Sequence, residues 1–222
     1  MKARATLLGL ASICWPLAGG LHAQGTGGPC PDLYPTPQVG HYAEVVFSNA
    51  QQERMSIRFA IVGEERVGDI QHYWIEVVSA PPLLGEEVIV QMLVPYYPFD
   101  NKDIKGYIVK MPGNVPQRVP LQMLEALGDS QSGPGWKDQC AAAEELGVEQ
   151  VTVAAGAFNA RHYRAGGDRP SEVWIADIPF GMVKLIQSDG EMELISYGSD
   201  AKSSITEKPV DIEMPPPGPE QP

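Results

Sequence analysis

The chain has little with which to do chemistry. Its only histidines are four, its only cysteines three, and 16 basic residues stand against 28 acidic ones. A net charge of −12 repels phosphate backbones, so nucleic acid is excluded as an expected partner. There is no G-x-S-x-G and no glycine-rich phosphate loop, which removes those common nucleophile and nucleotide classes. Glu64-Glu65, Glu86-Glu87 and Glu144-Glu145 are adjacent carboxylates, and adjacent residues on a strand point to opposite faces instead of converging on one cleft. His41, His72 and His162 lie far apart in strand-like contexts, with no H-x₃₋₅-H or cysteine partner at metal-ligand spacing. No catalytic residue, metal or cofactor is expected, and the chain is not read as an enzyme.

Long apolar runs are also lacking. The start has Lys2 and Arg4, an apolar stretch from Leu7 to about Ala18 broken by Pro16, and Leu21-His22-Ala23 before Gln24. This is the three-part plan of a secretory signal and falls short of the ~20 apolar residues of a membrane span. Residues 1–23 are therefore expected to be removed, leaving a periplasmic or extracellular chain of 199 residues with no transmembrane segment and a charge of −14. Ile13 before Cys14 argues against a lipid anchor. The remaining Cys30 and Cys140 form an even pair in an oxidising compartment and are expected to be a disulfide, the alternative being two buried thiols. Its loop of about 110 residues gives a stabilisation of about 4 kcal/mol in the chain-entropy account.

What is present is period-two alternation. Met55, Ile57, Phe59 and Ile61 alternate with Arg54, Ser56, Arg58 and Ala60, the signature of a half-buried strand. "GEERVG" (63–68) reads as the loop reversing this strand into "DIQHYWIEVVS", where Tyr73, Ile75 and Val77 share a face and His72, Trp74 and Glu76 take the other. "HYAEVVF", "EEVIVQMLV" and "KGYIVKM" supply three more strands. In the middle, Leu121, Leu124 and Leu127 have helical spacing between Pro120 and Gly128, and "DQCAAAEELG" suggests a second short helix capped by Asp138.

Strands return with "VEQVTVAAGAFNARHYR", which reads as one strand. Asp189-Gly190 is a favoured two-residue hairpin turn, which places Leu185 opposite Leu194 and makes Lys184 and Glu193 diagonal neighbours. In "DIPFG", Pro179 cannot donate to a ladder and Gly181 can take a positive φ, so a tight reversal is expected there. Together these make about nine strands, more than a flat sheet holds without curling. The expectation is one mainly β domain over residues 24–208: a strongly curved antiparallel sheet, an unclosed barrel, with a small helical insertion over its concave face. Residues 209–222 hold six prolines in fourteen positions and read as a disordered tail.

"VTVAAGAFNARHYR" followed by "VWIADIPFGMVKLIQSDGEMELISYG" resembles the exported, unclosed-barrel proteins of the periplasmic lipoprotein-carrier (LolA/LolB-like) superfamily and their secreted relatives. The resemblance covers the last third of the chain, and "CPDLYPTPQVG" departs from it by forbidding the carriers' N-terminal helix. It implies a hollow that holds an acyl chain, an apolar ligand or a lipidated partner. The aromatic stretch "VPYYPFD" either packs over the end of the core or stands at the opening of such a hollow. Candidate lining residues are Tyr96, Tyr97, Phe99, Leu121, Leu124 and Phe180. The alternative function is a non-catalytic envelope module for protein–protein interaction, with a hollow filled by its own side chains.

Overall fold

The structure, a computed structural model, describes residues 34–51, 53–81, 85–97, 99–128, 143–166 and 170–212. The expected signal and both cysteines of the expected disulfide, Cys30 and Cys140, lie outside the described residues. Five strands come first: β1 (Tyr42–Asn49), β2 (Arg54–Val67), β3 (Ile70–Ser79), β4 (Val88–Val94) and β5 (Gly106–Lys110). Then follow β6 (Gln117–Arg118) and the helix α1 (Leu121–Gly128). The second half holds β7 (Glu144–Val153), β8 (Gly156–Ala165), β9 (Ser171–Ile175), β10 (Met182–Gln187), β11 (Gly190–Gly198) and β12 (Val210–Asp211).

All twelve strands form one curved, unclosed sheet in the order β12-β6-β5-β4-β3-β2-β1-β11-β10-β9-β8-β7. Every pairing is antiparallel except β12 with β6. The curvature is strong enough that the turn after β7 reaches β11, where the Ala155 N–H donates to the Leu194 carbonyl at 3.3 Å although three strands lie between them in the sheet.

The expected class is thus present, with three strands more than the nine anticipated. β6 and β12 are two residues each, too short for alternation to register, and β12 falls inside the proline-rich stretch taken as a disordered tail. β7 and β8 are separate strands because the chain turns at Ala154-Ala155, a pair with no turn signature of its own. Of the loop expected over 63–68, residues 63–67 are strand. β2 continues to Val67, which pairs with Ile70, so the reversal is the two-residue Gly68-Asp69 turn. Nor is there a helix at Glu144–Leu146, where Glu144 and Glu145 pair with Arg164 and Tyr163. A helix of two turns is marginal alone, whereas the strand gains a ladder along β8. Finally, Gln187 pairs with Gly190 and Leu185 faces Met192, a shift of two residues from the expected register that preserves which side chains share a face.

The core follows from the alternation. Ala43 and Val45 of β1 share a face with Phe59 and Ile57 of β2, and the row continues through Ile61, Ile75 and Met92. On the opposite face Ala60, Glu76, Gln91 and Ile108 lie in register across β2 to β5, and all four are buried. They are covered by a strap, residues 199–212, that leaves β11 and crosses to β6. Along its course the Ala201 N–H donates to the Gly40 carbonyl at 2.9 Å, Lys110 Nζ donates to Glu207 at 2.9 Å, and the Ile212 N–H donates to the Arg118 carbonyl at 3.0 Å. On the same face the Trp74 ring lies over Gly106, where a Cβ would come within 2.8 Å of the indole.

Candidate functional site

The lining residues singled out from the sequence divide into three places. Tyr97, Phe99 and Phe180 come together. The Tyr97 ring meets Phe180 edge-on at 5.0 Å, Tyr34 at 5.4 Å and Phe99 at 6.5 Å, while Phe180 also meets Phe59 of β2 at 5.8 Å. Tyr96 turns aside, donating its hydroxyl hydrogen to Asp103. Leu121 and Leu124 are half-buried on α1, outside the core cluster. Leu121 instead lines a pocket of about 290 Å³ with Tyr107, Pro120, Ile212 and Arg118, and that guanidinium lies 3.9 Å from Asp211.

The corner that delivers Phe180 explains itself physically. Gly181 N–H donates to the Ile178 carbonyl at 2.9 Å, closing a β-turn with Pro179 second and Phe180 third, and Met182 N–H donates to the Phe180 carbonyl at 2.8 Å. Phe180 has φ 61°, the positive value that a type II turn with proline second requires at its third position. The positive φ expected at Gly181 is present too, at 70°, so the corner holds two in succession. Gly181 also admits Tyr34, whose ring carbon would lie 2.9 Å from any added Cβ. A left-handed backbone costs a side-chain-bearing residue roughly 1–2 kcal/mol. Burial of the phenyl ring, 6% exposed, stabilises by about 1.5–3 kcal/mol, and its aromatic neighbours add about 0.5–1.5 kcal/mol for each favourable pair. The ring's burial therefore outweighs the strain and keeps phenylalanine where glycine would be easier.

These phenols are held in their neutral form. Burial pushes the Tyr97 hydroxyl up to about 12. Burial also raises Tyr34, further than Tyr97, with Tyr97 and Tyr163 as close neighbours adding to the effect. Neither is an acid or a base near neutral pH.

A second cluster lies on β7 to β10. The His162 ring stacks on Trp174 at 4.2 Å, its Nδ1 3.1 Å from Glu149 and its Nε2 2.9 Å from Glu172. Trp174 Nε1–H donates to Glu149 as well. Arg164 Nε donates to Glu172 at 2.9 Å, and that guanidinium, with His162, holds the Glu172 carboxyl below its ordinary value. Beside them, Lys184 Nζ donates to Glu193 at 2.7 Å, directly opposite it in the register, and the Lys184 ammonium is raised mainly by that contact. The two carboxylates flank opposite edges of the imidazole and so cannot converge on one ion. Among the described residues no group of three or more His, Cys, Asp or Glu is arranged to hold a metal. His72 is buried, with Nδ1 3.0 Å from the Ile70 carbonyl.

The third cluster is the anchor of the strap. Glu76 is 0% exposed, and its carboxylate accepts from Gln91 Nε2 at 2.8 Å, Ser204 Oγ at 2.8 Å, Ser204 N–H at 3.0 Å and Ser203 Oγ at 3.2 Å, with Arg58 at 3.9 Å. Glu76 lies on the face opposite Ile75, as the alternation implies, but nothing in the alternation implies its burial. The covering serines are more than a hundred residues away and have no pattern that announces it.

No family model matches the chain, and no curated protein does either. Among solved structures, a candidate exported protein with a YmcC-like fold from Bacteroides fragilis is 11% identical over 75% of this chain and 98% of that one, with a TM-score of 0.37. A candidate lipoprotein from Parabacteroides distasonis is 12% identical over 79% of this chain and 100% of that one, with a TM-score of 0.39. Scores this low do not establish a shared fold.

Proposed function

We propose that this chain is an exported, non-catalytic interaction module of the cell envelope whose hollow is filled by its own side chains. The observation that supports it is the Ile178–Gly181 corner. It crosses the hollow from β9 and β10 to reach Phe59 on β2 and Tyr97 after β4, occupying with protein the volume a carrier would leave for an acyl chain. Kinship with the lipoprotein-carrier superfamily is proposed at the level of architecture, a curved sheet with a side-chain plug, and not of cargo. The signal-like first 23 residues favour export, and no helix among the described residues is long and apolar enough to cross a membrane. The partner is an envelope protein, since the acidic balance disfavours nucleic acid.

Native mass spectrometry and solvent extraction of chain purified from an exporting host test this reading. The expected result is the bare polypeptide mass and no thermal shift on adding phospholipid or fatty acid. A stoichiometric acyl species would overturn it in favour of the carrier function.

A further inference from the structure

We infer that β7 is a strand-addition site for an extended, basic segment of an envelope protein. The inference rests on the reading of the chain as an interaction module and names the surface that would serve it.

β7 is ten residues long and ends the sheet. It pairs with β8 on one side, and among the described residues nothing pairs with the other. Counting from the two-residue turn that joins Val153 to Gly156, the backbone N–H and C=O groups of Val148, Gln150 and Thr152 point away from β8. Edges of this length are commonly blunted by lysine, proline or shortness. The opposite end of the sheet has such protection, since β12 is two residues long and the sequence after it is proline-rich. β7 has no lysine and no proline, and its Val148 side chain is 66% exposed with Leu146 also at the surface.

Charge selects the occupant. Glu144, Glu145 and Glu149 are all exposed on β7, Glu149 also accepting from Trp174 and lying 3.1 Å from His162. A second copy would bring three more carboxylates to the same ladder, which like-charge repulsion disfavours. The chain's own remaining segments lack strand-forming composition: 24–33 contains Pro29 and Pro31, 129–142 is broken by Gly133-Pro134-Gly135, and 213–222 has Pro215-Pro216-Pro217. A foreign segment alternating apolar and basic residues satisfies the open backbone groups, covers Val148 and Leu146, and neutralises the carboxylates.

The probe is a blocked decapeptide of alternating valine and lysine added to the full mature chain, read by amide exchange and chemical shift. Val148, Gln150 and Thr152 amides are expected to become protected. Affinity is expected to fall by about tenfold or more in the Glu144→Lys/Glu145→Lys variant, consistent with loss of complementary charge. Gln150→Pro should abolish binding; if it fails to fold, the charge-reversal pair still decides. Protection elsewhere, affinity indifferent to the charge reversal, or a dimer protected at β7 without peptide would each overturn the inference. A bound acyl species with peptide binding intact at β7 would remove the interaction-module reading and leave the strand site standing. An empty core with no β7 protection would remove the strand site alone.

Discussion

The limb of the sheet from β1 to β12 and the limb from β11 to β7 are made of similar strands but treat charge in opposite ways. On the first, Glu76 is sealed beneath the strap and held by backbone and hydroxyl donors. On the second, Glu172, Glu191 and Glu193 stay at the surface, paired with the side chains of Arg164, His162 and Lys184. A carboxylate tolerates burial where the chain supplies donors already fixed by a crossing backbone, because an unmatched buried charge is costly. Where the partners are side chains of neighbouring strands near the surface, the pairs remain partly solvated and contribute little. The covered limb is thereby a closed structure, and the open limb is the one with surface and edge to offer.

The largest effect is expected where the two limbs meet. Phe180→Ala removes a buried ring that joins the β9–β10 corner to Phe59 and Tyr97, and should cost about 3–5 kcal/mol in denaturant unfolding. Phe180→Gly loses the same ring but relieves the positive φ, so it should be less destabilising than the alanine variant by about 1–2 kcal/mol. Equal losses for the two variants would mean that the corner carries no backbone strain.

Next comes the strap. Glu76→Ala removes the acceptor shared by Gln91, Ser203 and Ser204 and should cost about 3 kcal/mol, given about 1.5–3 kcal/mol for a hydrogen bond to a charged group. Amides of Ser204 and Ile212 should exchange faster in that variant while those of β8 and β9 are unchanged. Uniform acceleration across both limbs would erase the distinction between them.

How much of this was legible beforehand depends on how far apart in sequence the determinants lie. Alternation in β1 to β5 and the Asp189-Gly190 hairpin are local signals, and the strands they specify are in place, though the hairpin closes at Gln187–Gly190. Ala154-Ala155 has no turn chemistry of its own, so β7 and β8 read as one strand, and Glu144–Leu146 reads as the end of a short helix although it opens β7. "VPYYPFD" and "DIPFG" were marked as unusual, yet nothing local says that they meet; Tyr97 and Phe180 are brought together by the curl of the sheet. The strap was unreadable for the same reason. Its serines match no period, and Glu76 looks like any solvent-facing strand glutamate until the chain returns over it.

The smallest expected effects sharpen the comparison from the open limb. The Arg164 guanidinium, with a smaller contribution from His162, lowers the Glu172 carboxyl from its ordinary value of 4.5. Its contribution is therefore complete above that value and is lost as pH falls through the lower folded-state value. The Glu193 contact raises Lys184 above its ordinary 10.5, so that contribution is complete below 10.5 and is lost as pH rises through the higher folded-state value. Between these limits neither group makes stability depend on pH. Glu172 is a third exposed, so Glu172→Gln should cost at most about 0.5–1 kcal/mol at neutral pH. It should shallow the acid limb of the stability profile, whereas Lys184→Met should shallow only the alkaline limb. A Glu172→Gln loss as large as that of Glu76→Ala would show that the open limb, too, relies on sealed charge, and the contrast between the limbs would fail.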